Sequence, residues 1–191
     1  GMLPMFPSLI RHRFSRQFGE LPQGYDHKYV YSNFGYNLKA TDLQAAIGCA
    51  QLEKLPGFIE SRKRNWKTLR EGLADLSGVF ILPEPSPEAD PSWFGFLLTV
   101  REEAGFGREE IVAYLEKNGI QTRMLFAGNL IKHPCFDEMR ASGQGYRIVG
   151  NLSNTDRIMN DTFWLGVYPG MTAPMLEYMI EKVRGFVSSH K

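Results

Sequence analysis

A chain of 191 residues with 43% hydrophobic and 23% charged residues is long enough for one good core and ordinary for a water-exposed globular fold. A formal net charge of +1 excludes a global field for nucleic acid or an anionic membrane. Two cysteines, Cys49 and Cys135, have no metal-site spacing and read as small buried hydrophobes in a reducing, cytoplasmic compartment.

Residues 1–34 lack periodicity. Arg11, His12, Arg13 and Arg16 read as a solvated basic cluster rather than a nucleic-acid site. Tyr25 to Phe34 reads as an extended aromatic entry to the first helix, and a polar turn, Gly35 to Lys39, leads into it. That helix is expected from Thr41 to Lys54, opened by a capping box between Thr41 and Gln44. Its residues Leu43, Ala46, Ile47 and Ala50 share one low-profile face. Asn37 and Lys39, beside the free N–H groups of a helix start, suit an anion, although from the residues alone ordinary turn chemistry is the commoner explanation.

A second helix is expected from Pro56 to Leu76, ended by Gly78, with Ile59, Trp66, Leu69, Leu73 and Leu76 on its core stripe. A short strand at Val79 to Leu82 precedes a proline-rich loop and a buried strand at Trp93 to Val100. A helix over Gly107 to Gly119 leads to a strand over Ile120 to Phe126. Residues 127–153 read as a long functional loop with one helical turn near Phe136 to Arg140. A short helix from Asn154 to Asn160, capped by Asn154 or Thr155, precedes a strand at Phe163 to Tyr168 and a closing helix at Met175 to Val187. This order predicts an α+β two-layer sandwich, a small sheet with helices on one face.

No Walker loop, dinucleotide fingerprint, nucleophile motif or histidine spacing for a metal is present, so no catalytic residue and no metal site is assigned. Arg123 falls in an apolar strand, Asn129 just after it and Arg157 in a short helix. A buried guanidinium needs a partner. An internal carboxylate such as Asp156 or Asp161 and a substrate oxyanion are both open readings.

The stretch Gly35-x-Asn37-x-Lys39, followed by Gln44-Ala45-Ala46 and Gln51-Leu52, resembles the motif of the DegT/DnrJ/EryC1/StrS sugar-aminotransferase family, which uses pyridoxal phosphate (PLP). The runs Gly24 to Tyr29, Asp90 to Phe96, Thr122 to Asn129 and Asn154 to Asn160 resemble the branch containing CDP-6-deoxy-L-threo-D-glycero-4-hexulose-3-dehydrase. The resemblance implies the small C-terminal domain of a fold-type-I PLP enzyme over residues 37–191, with residues 1–36 left from the large cofactor domain. It implies that Asn37 binds the cofactor phosphate across a homodimer interface and that Lys39 lies near the nucleotide-sugar phosphates. It places Phe94, where aminotransferases carry a histidine, against cofactor and sugar. Arg157 is carried over to the keto-sugar, and Arg123 and Asn129 to the substrate more weakly.

The implied reaction is C3 deoxygenation of a CDP-4-keto-6-deoxyhexose in deoxysugar or O-antigen synthesis. Its cofactor is PLP or pyridoxamine phosphate (PMP), and a partner reductase completes it. The Schiff-base lysine, or its histidine replacement, lies upstream of the matched stretch, so the resemblance implies that this chain alone binds no cofactor and is inactive. A sugar aminotransferase C-terminal domain and a non-catalytic binding or assembly module are the alternatives.

Overall fold

The structure, a computed structural model, describes residues 20–23, 36, 38 and 40–190. The expectations for Arg11 to Arg16, Tyr25 to Phe34, Asn37 and Lys39 fall outside these residues. The chain divides into two units, Gly1–Gly48 and Cys49–Lys191.

Helix α1, Asp42–Leu52, opens on the expected capping box. The Thr41 N–H donates to Gln44 Oε1 at 2.9 Å, and the Gln44 N–H donates to Thr41 Oγ1 at 3.3 Å. Each group satisfies a donor that the first helical turn leaves orphaned. None of the helix's residues is buried, so Leu43 and Ile47 stand in the open. Cys49 is therefore exposed, and Cys135, in a 3₁₀ turn at Pro134–Phe136, is exposed too. The expectation that both are buried hydrophobes is corrected.

In the second unit, α2 (Leu55–Gly72) starts one residue before Pro56, where a missing N–H costs nothing. It ends four residues earlier than expected and tightens into a 3₁₀ turn, Ala74–Gly78. Gly72 makes room there for the Ile180 side chain. Trp66, Leu69, Leu73 and Leu76 are buried as the stripe predicts, while Ile59 is half-buried.

Strands β1 (Phe80–Ile81), β2 (Gly95–Val100), β3 (Thr122–Met124) and β4 (Thr162–Gly166) form one antiparallel sheet in the order β1-β2-β4-β3. The connecting helices are α3 (Arg108–Lys117), α4 (Asp137–Ser142) and α5 (Ser153–Asp161), with α6 (Ala173–Ser188) last. Every strand is shorter than its apolar run.

Strand parity divides the sheet. Phe96, Leu98 and Val100 of β2, with Phe163 and Leu165 of β4, point to one face and join Leu69, Leu73, Ile111, Leu115, Val183 and Val187 in the core. Burying each such side chain stabilises the fold by about 1.5–3 kcal/mol. Leu97 and Trp164 are cross-strand partners on the other face and are only half-buried. β2 is therefore covered on one side, not buried on both as its apolar sequence suggested.

The loop before α5 also differs from expectation. Its cap position is Leu152, at φ 55°, not Asn154 or Thr155. Asn151 supplies the missing acceptor: its Oδ1 takes the Ser153 N–H at 3.1 Å and the Ser153 hydroxyl at 2.9 Å.

Candidate functional site

The chain segment before β2 is clamped on several sides. Trp93 stacks on Trp66 of α2, with centroids 4.3 Å apart and planes 6° from parallel. Arg62, one helical turn earlier, donates Nη1 to the carbonyls of Trp93 at 3.2 Å and Val167 at 3.3 Å. Phe94 accepts the Val167 N–H at 2.8 Å. With backbone and preceding ring fixed, the Phe94 side chain projects outward and is 54% exposed. It meets Trp164 edge to face, with centroids 4.9 Å apart and planes 62° apart, a favoured aromatic geometry.

Trp164 is itself anchored. Its Nε1–H donates to the Met124 carbonyl of the neighbouring strand at 3.0 Å. Its ring lies across Gly95, where no other side chain fits without displacing it. Phe94, Trp164, Leu97, Leu125 and Phe126, with Pro91 and Ser92, line an open cleft of about 270 Å³. The lining is almost wholly apolar and suits the flat face of a ring.

Arg123 is the direct cross-strand partner of Trp164, on the same sheet face. It is exposed on an edge strand, and its Nη1 donates to the Thr122 carbonyl at 2.9 Å. The expectation of a guanidinium inside an apolar strand is thereby corrected, because β3 lies at the sheet edge. Beside it, Glu116 accepts the Thr122 N–H at 2.6 Å and the Thr122 hydroxyl at 2.8 Å. These two bonds, the backbone one foremost, hold its carboxyl below the ordinary value.

Asn129 is buried beneath the loop that follows β3. Its Nδ2 donates to Asp156 Oδ1 at 2.7 Å, and Lys132 Nζ sits 2.8 Å from the same oxygen. The hydrogen bond from Lys132, then that from Asn129, lowers the Asp156 pKa. Asp156 thus fastens the loop to α5 rather than pairing with Arg123 or Arg157. Arg157 is half-buried, and its buried Nε has no partner among the described residues.

The structure therefore brings Phe94 and Arg123 together around Trp164. It gives Asn129 a loop-holding contact and leaves Arg157 on α5 with an unmatched donor. Sequence reasoning missed Trp164 and Arg62. The alternation Phe163, Trp164, Leu165 was the available signal for Trp164, since the flanking core residues force it to the opposite face. Among the described residues there is no cluster of three His, Cys, Asp or Glu side chains able to hold a metal, and no helix long and apolar enough to cross a membrane.

The model of the DegT/DnrJ/EryC1/StrS aminotransferase family matches residues 11–184. The lipopolysaccharide biosynthesis protein RfbH of Salmonella typhimurium is 52% identical over 174 residues, covering 91% of this chain and 39% of that protein. The dTDP-4-dehydro-2,6-dideoxy-D-glucose 3-dehydratase of Saccharopolyspora spinosa is 48% identical over 185 residues, covering 97% of this chain and again 39% of the relative. The chain thus spans well under half the length of these proteins. Among solved structures, an aminotransferase from Psychrobacter cryohalolentis superposes with a TM-score of 0.71 at 17% identity, covering 89% of this chain and 44% of that one. A GDP-4-keto-6-deoxymannose-3-dehydratase with bound GDP-perosamine gives 0.69 at 24% identity, covering 83% and 39%. At these identities the structures establish a shared α+β fold.

Proposed function

This chain belongs to the DegT/DnrJ/EryC1/StrS aminotransferase family, and we propose that it is the small-domain portion of a nucleotide-sugar 3-dehydratase acting on a CDP-4-keto-6-deoxyhexose. The observation that carries this reading is the aromatic corner of Phe94 on Trp164, open to a ring-sized cleft with Arg123 alongside. The similarity to the Saccharopolyspora 3-dehydratase supports dehydration over transamination.

In this reading residues 37–191 form the small domain and residues 1–36 belong to the large cofactor domain. Asn37 reaches the cofactor phosphate of a neighbouring subunit, and Lys39 the nucleotide phosphates. Phe94 covers the sugar. Arg123 and Arg157 offer planar forks to its phosphate and keto oxygens, and Asn129 keeps the intervening loop in place.

The cleft residues do not fit PLP or PMP by themselves. They include no amine for a Schiff base, no cation for the phosphate and no carboxylate for the ring nitrogen. The cofactor and the chemistry it supplies accordingly belong to the parent enzyme, and this chain alone is inactive. The parent works in the cytoplasm as a homodimer, with a reductase as its partner and with no part for nucleic acid or membrane. The exposed apolar residues of α1 favour one further role for the isolated chain, as an assembly module.

Incubating the chain with PMP and a CDP-4-keto-6-deoxyhexose tests the reading. No deoxygenated product is expected by mass spectrometry. The nucleotide sugar should give saturable NMR shifts at Phe94, Trp164 and Arg123. Product formation overturns the inactivity of the isolated chain. Shifts given by GDP- or dTDP-sugars and not by the CDP-sugar overturn the nucleotide assignment.

A further inference from the structure

Phe126, in the loop after β3, lines the cleft that Phe94 and Trp164 border. Its φ is 49°, in the left-handed region. Among the described residues two other non-glycine residues, Glu88 and Leu152, share that region, and Leu152 is carried by Asn151 at the start of α5. Phe126 is the first central residue of a turn closed by the Gly128 N–H, which donates to the Leu125 carbonyl at 3.3 Å. Positive φ at that position is dominated by glycine, asparagine and aspartate. A Cβ there crowds the following carbonyl, so a phenylalanine strains the turn.

The strained turn is held from both sides. The Phe126 N–H donates to the Met124 carbonyl at 2.7 Å. The next carbonyl, that of Ala127, accepts from His133 Nε2 at 2.7 Å. Beyond it, Asn129 is tied to Asp156 at 2.7 Å. The fold makes little use of the ring so presented, which is 74% exposed and lies outside the core cluster. Local sterics therefore favour glycine at this position, and core packing does not call for an aromatic side chain. The surface that uses one is the cleft.

With Phe94 and Trp164, Phe126 makes a third aromatic wall, and Leu97 and Leu125 complete an apolar lining. Such a lining accepts a methyl group. A hydroxyl buried against it leaves water and finds no partner. A 6-deoxyhexose carries a methyl at C6 where the parent hexose carries a hydroxymethyl. We propose that Phe126 is a specificity-determining residue of the cleft: its ring packs on the C6 methyl and selects a 6-deoxyhexose against the 6-hydroxy sugar. This inference rests on the nucleotide-sugar reading of the cleft and adds the residue that sets its choice of sugar.

The test is a titration of the whole chain with CDP-6-deoxyglucose and CDP-glucose, which differ only by the C6 hydroxyl, followed at the Trp164 indole N–H resonance. CDP alone is the third arm. The parent chain should bind the 6-deoxy sugar about ten- to a hundredfold more tightly than CDP-glucose. Phe126→Gly should remove most of that ratio by weakening the 6-deoxy sugar, and should leave CDP unchanged. It should not lower the urea midpoint of unfolding, because glycine takes up the left-handed turn without strain. Leu130→Ala, exposed in the same loop and outside the cleft lining, should keep the ratio.

A parent chain that binds both sugars equally overturns this inference and leaves the nucleotide-sugar reading standing. So does an unchanged ratio in Phe126→Gly, or a loss for CDP as large as that for the 6-deoxy sugar. A lowered urea midpoint in Phe126→Gly overturns it too, since the ring would then be serving the fold. A parent chain that binds neither sugar overturns the nucleotide-sugar reading itself, and this inference with it.

Discussion

Gly95→Ala probes the aromatic corner without touching either ring. The backbone at Gly95 lies outside the left-handed region, so an alanine is conformationally allowed. Its Cβ would fall 2.8 Å from Trp164 Cε3 and 3.3 Å from Cδ2, against an ordinary contact of 3.4–4 Å. Two responses are open. If the indole stays, overpacking strain costs about 1–3 kcal/mol. If it swings away, the 3.0 Å bond to the Met124 carbonyl is lost, at about 1 kcal/mol, together with the contact to Phe94, at about 0.5–1.5 kcal/mol. Both routes give a loss near 2 kcal/mol, reduced by the ~0.4–1 kcal/mol that an alanine gains through the unfolded chain. Urea unfolding measures the net loss, and the Trp164 indole N–H resonance distinguishes the routes. Gly57→Ala is the opposite-sign control: it lies in α2 with nothing within 4 Å of the new methyl, and should stabilise by up to ~1 kcal/mol. A Gly95→Ala variant within about 0.5 kcal/mol of the parent and with an unmoved Trp164 indole would refute the packing argued here.

Leu73→Ala removes a fully buried side chain between α2 and the sheet and should cost about 2–5 kcal/mol in urea or thermal unfolding. Glu116→Gln should destabilise at neutral pH and become neutral in acid. The folded pKa of Glu116 lies below its ordinary 4.5, so its contribution is full above that value and is lost as pH falls through the folded one. Parallel unfolding curves at several pH values check this, and a constant difference across the range would contradict it. Leu43→Glu with Ile47→Glu should abolish self-association of the chain in light scattering, because these residues carry the exposed apolar face of α1; a parent chain that is monomeric at high concentration refutes the prediction.

What the sequence made legible follows its local physics. The Thr41–Gln44 capping box formed between the named atoms because both partners lie within four residues. The stripe Trp66, Leu69, Leu73, Leu76 turned inward because helical period fixes its face. Errors appeared where the outcome depends on distant residues. Arg123 seemed buried because its neighbours Met124 and Leu125 are apolar, but strand order puts β3 on the edge. Cys49 seemed buried because its helix is apolar, but none of that helix is covered in this chain. The Leu152 cap was unreadable because a leucine at positive φ is disfavoured by its own sterics and is carried here by Asn151.

The same distinction explains why the cleft was only half legible. Phe94 entered through resemblance, yet what makes it usable is Trp164, seventy positions away in sequence, whose ring it meets edge to face. Parity alone commits Trp164 to the uncovered face once Phe163 and Leu165 are in the core. A half-covered sheet usually turns polar side chains outward. Here the outward positions Leu97 and Trp164 are apolar, and Gly95 is vacant so that the indole can lie flat. That pattern stabilises the fold through the Trp164 contacts to Met124 and Phe94 and also leaves an apolar surface open. It is accounted for if the face receives a ring, and the ordering of Trp93 by Trp66 and Arg62 then serves to present Phe94 at a fixed angle before any ligand arrives.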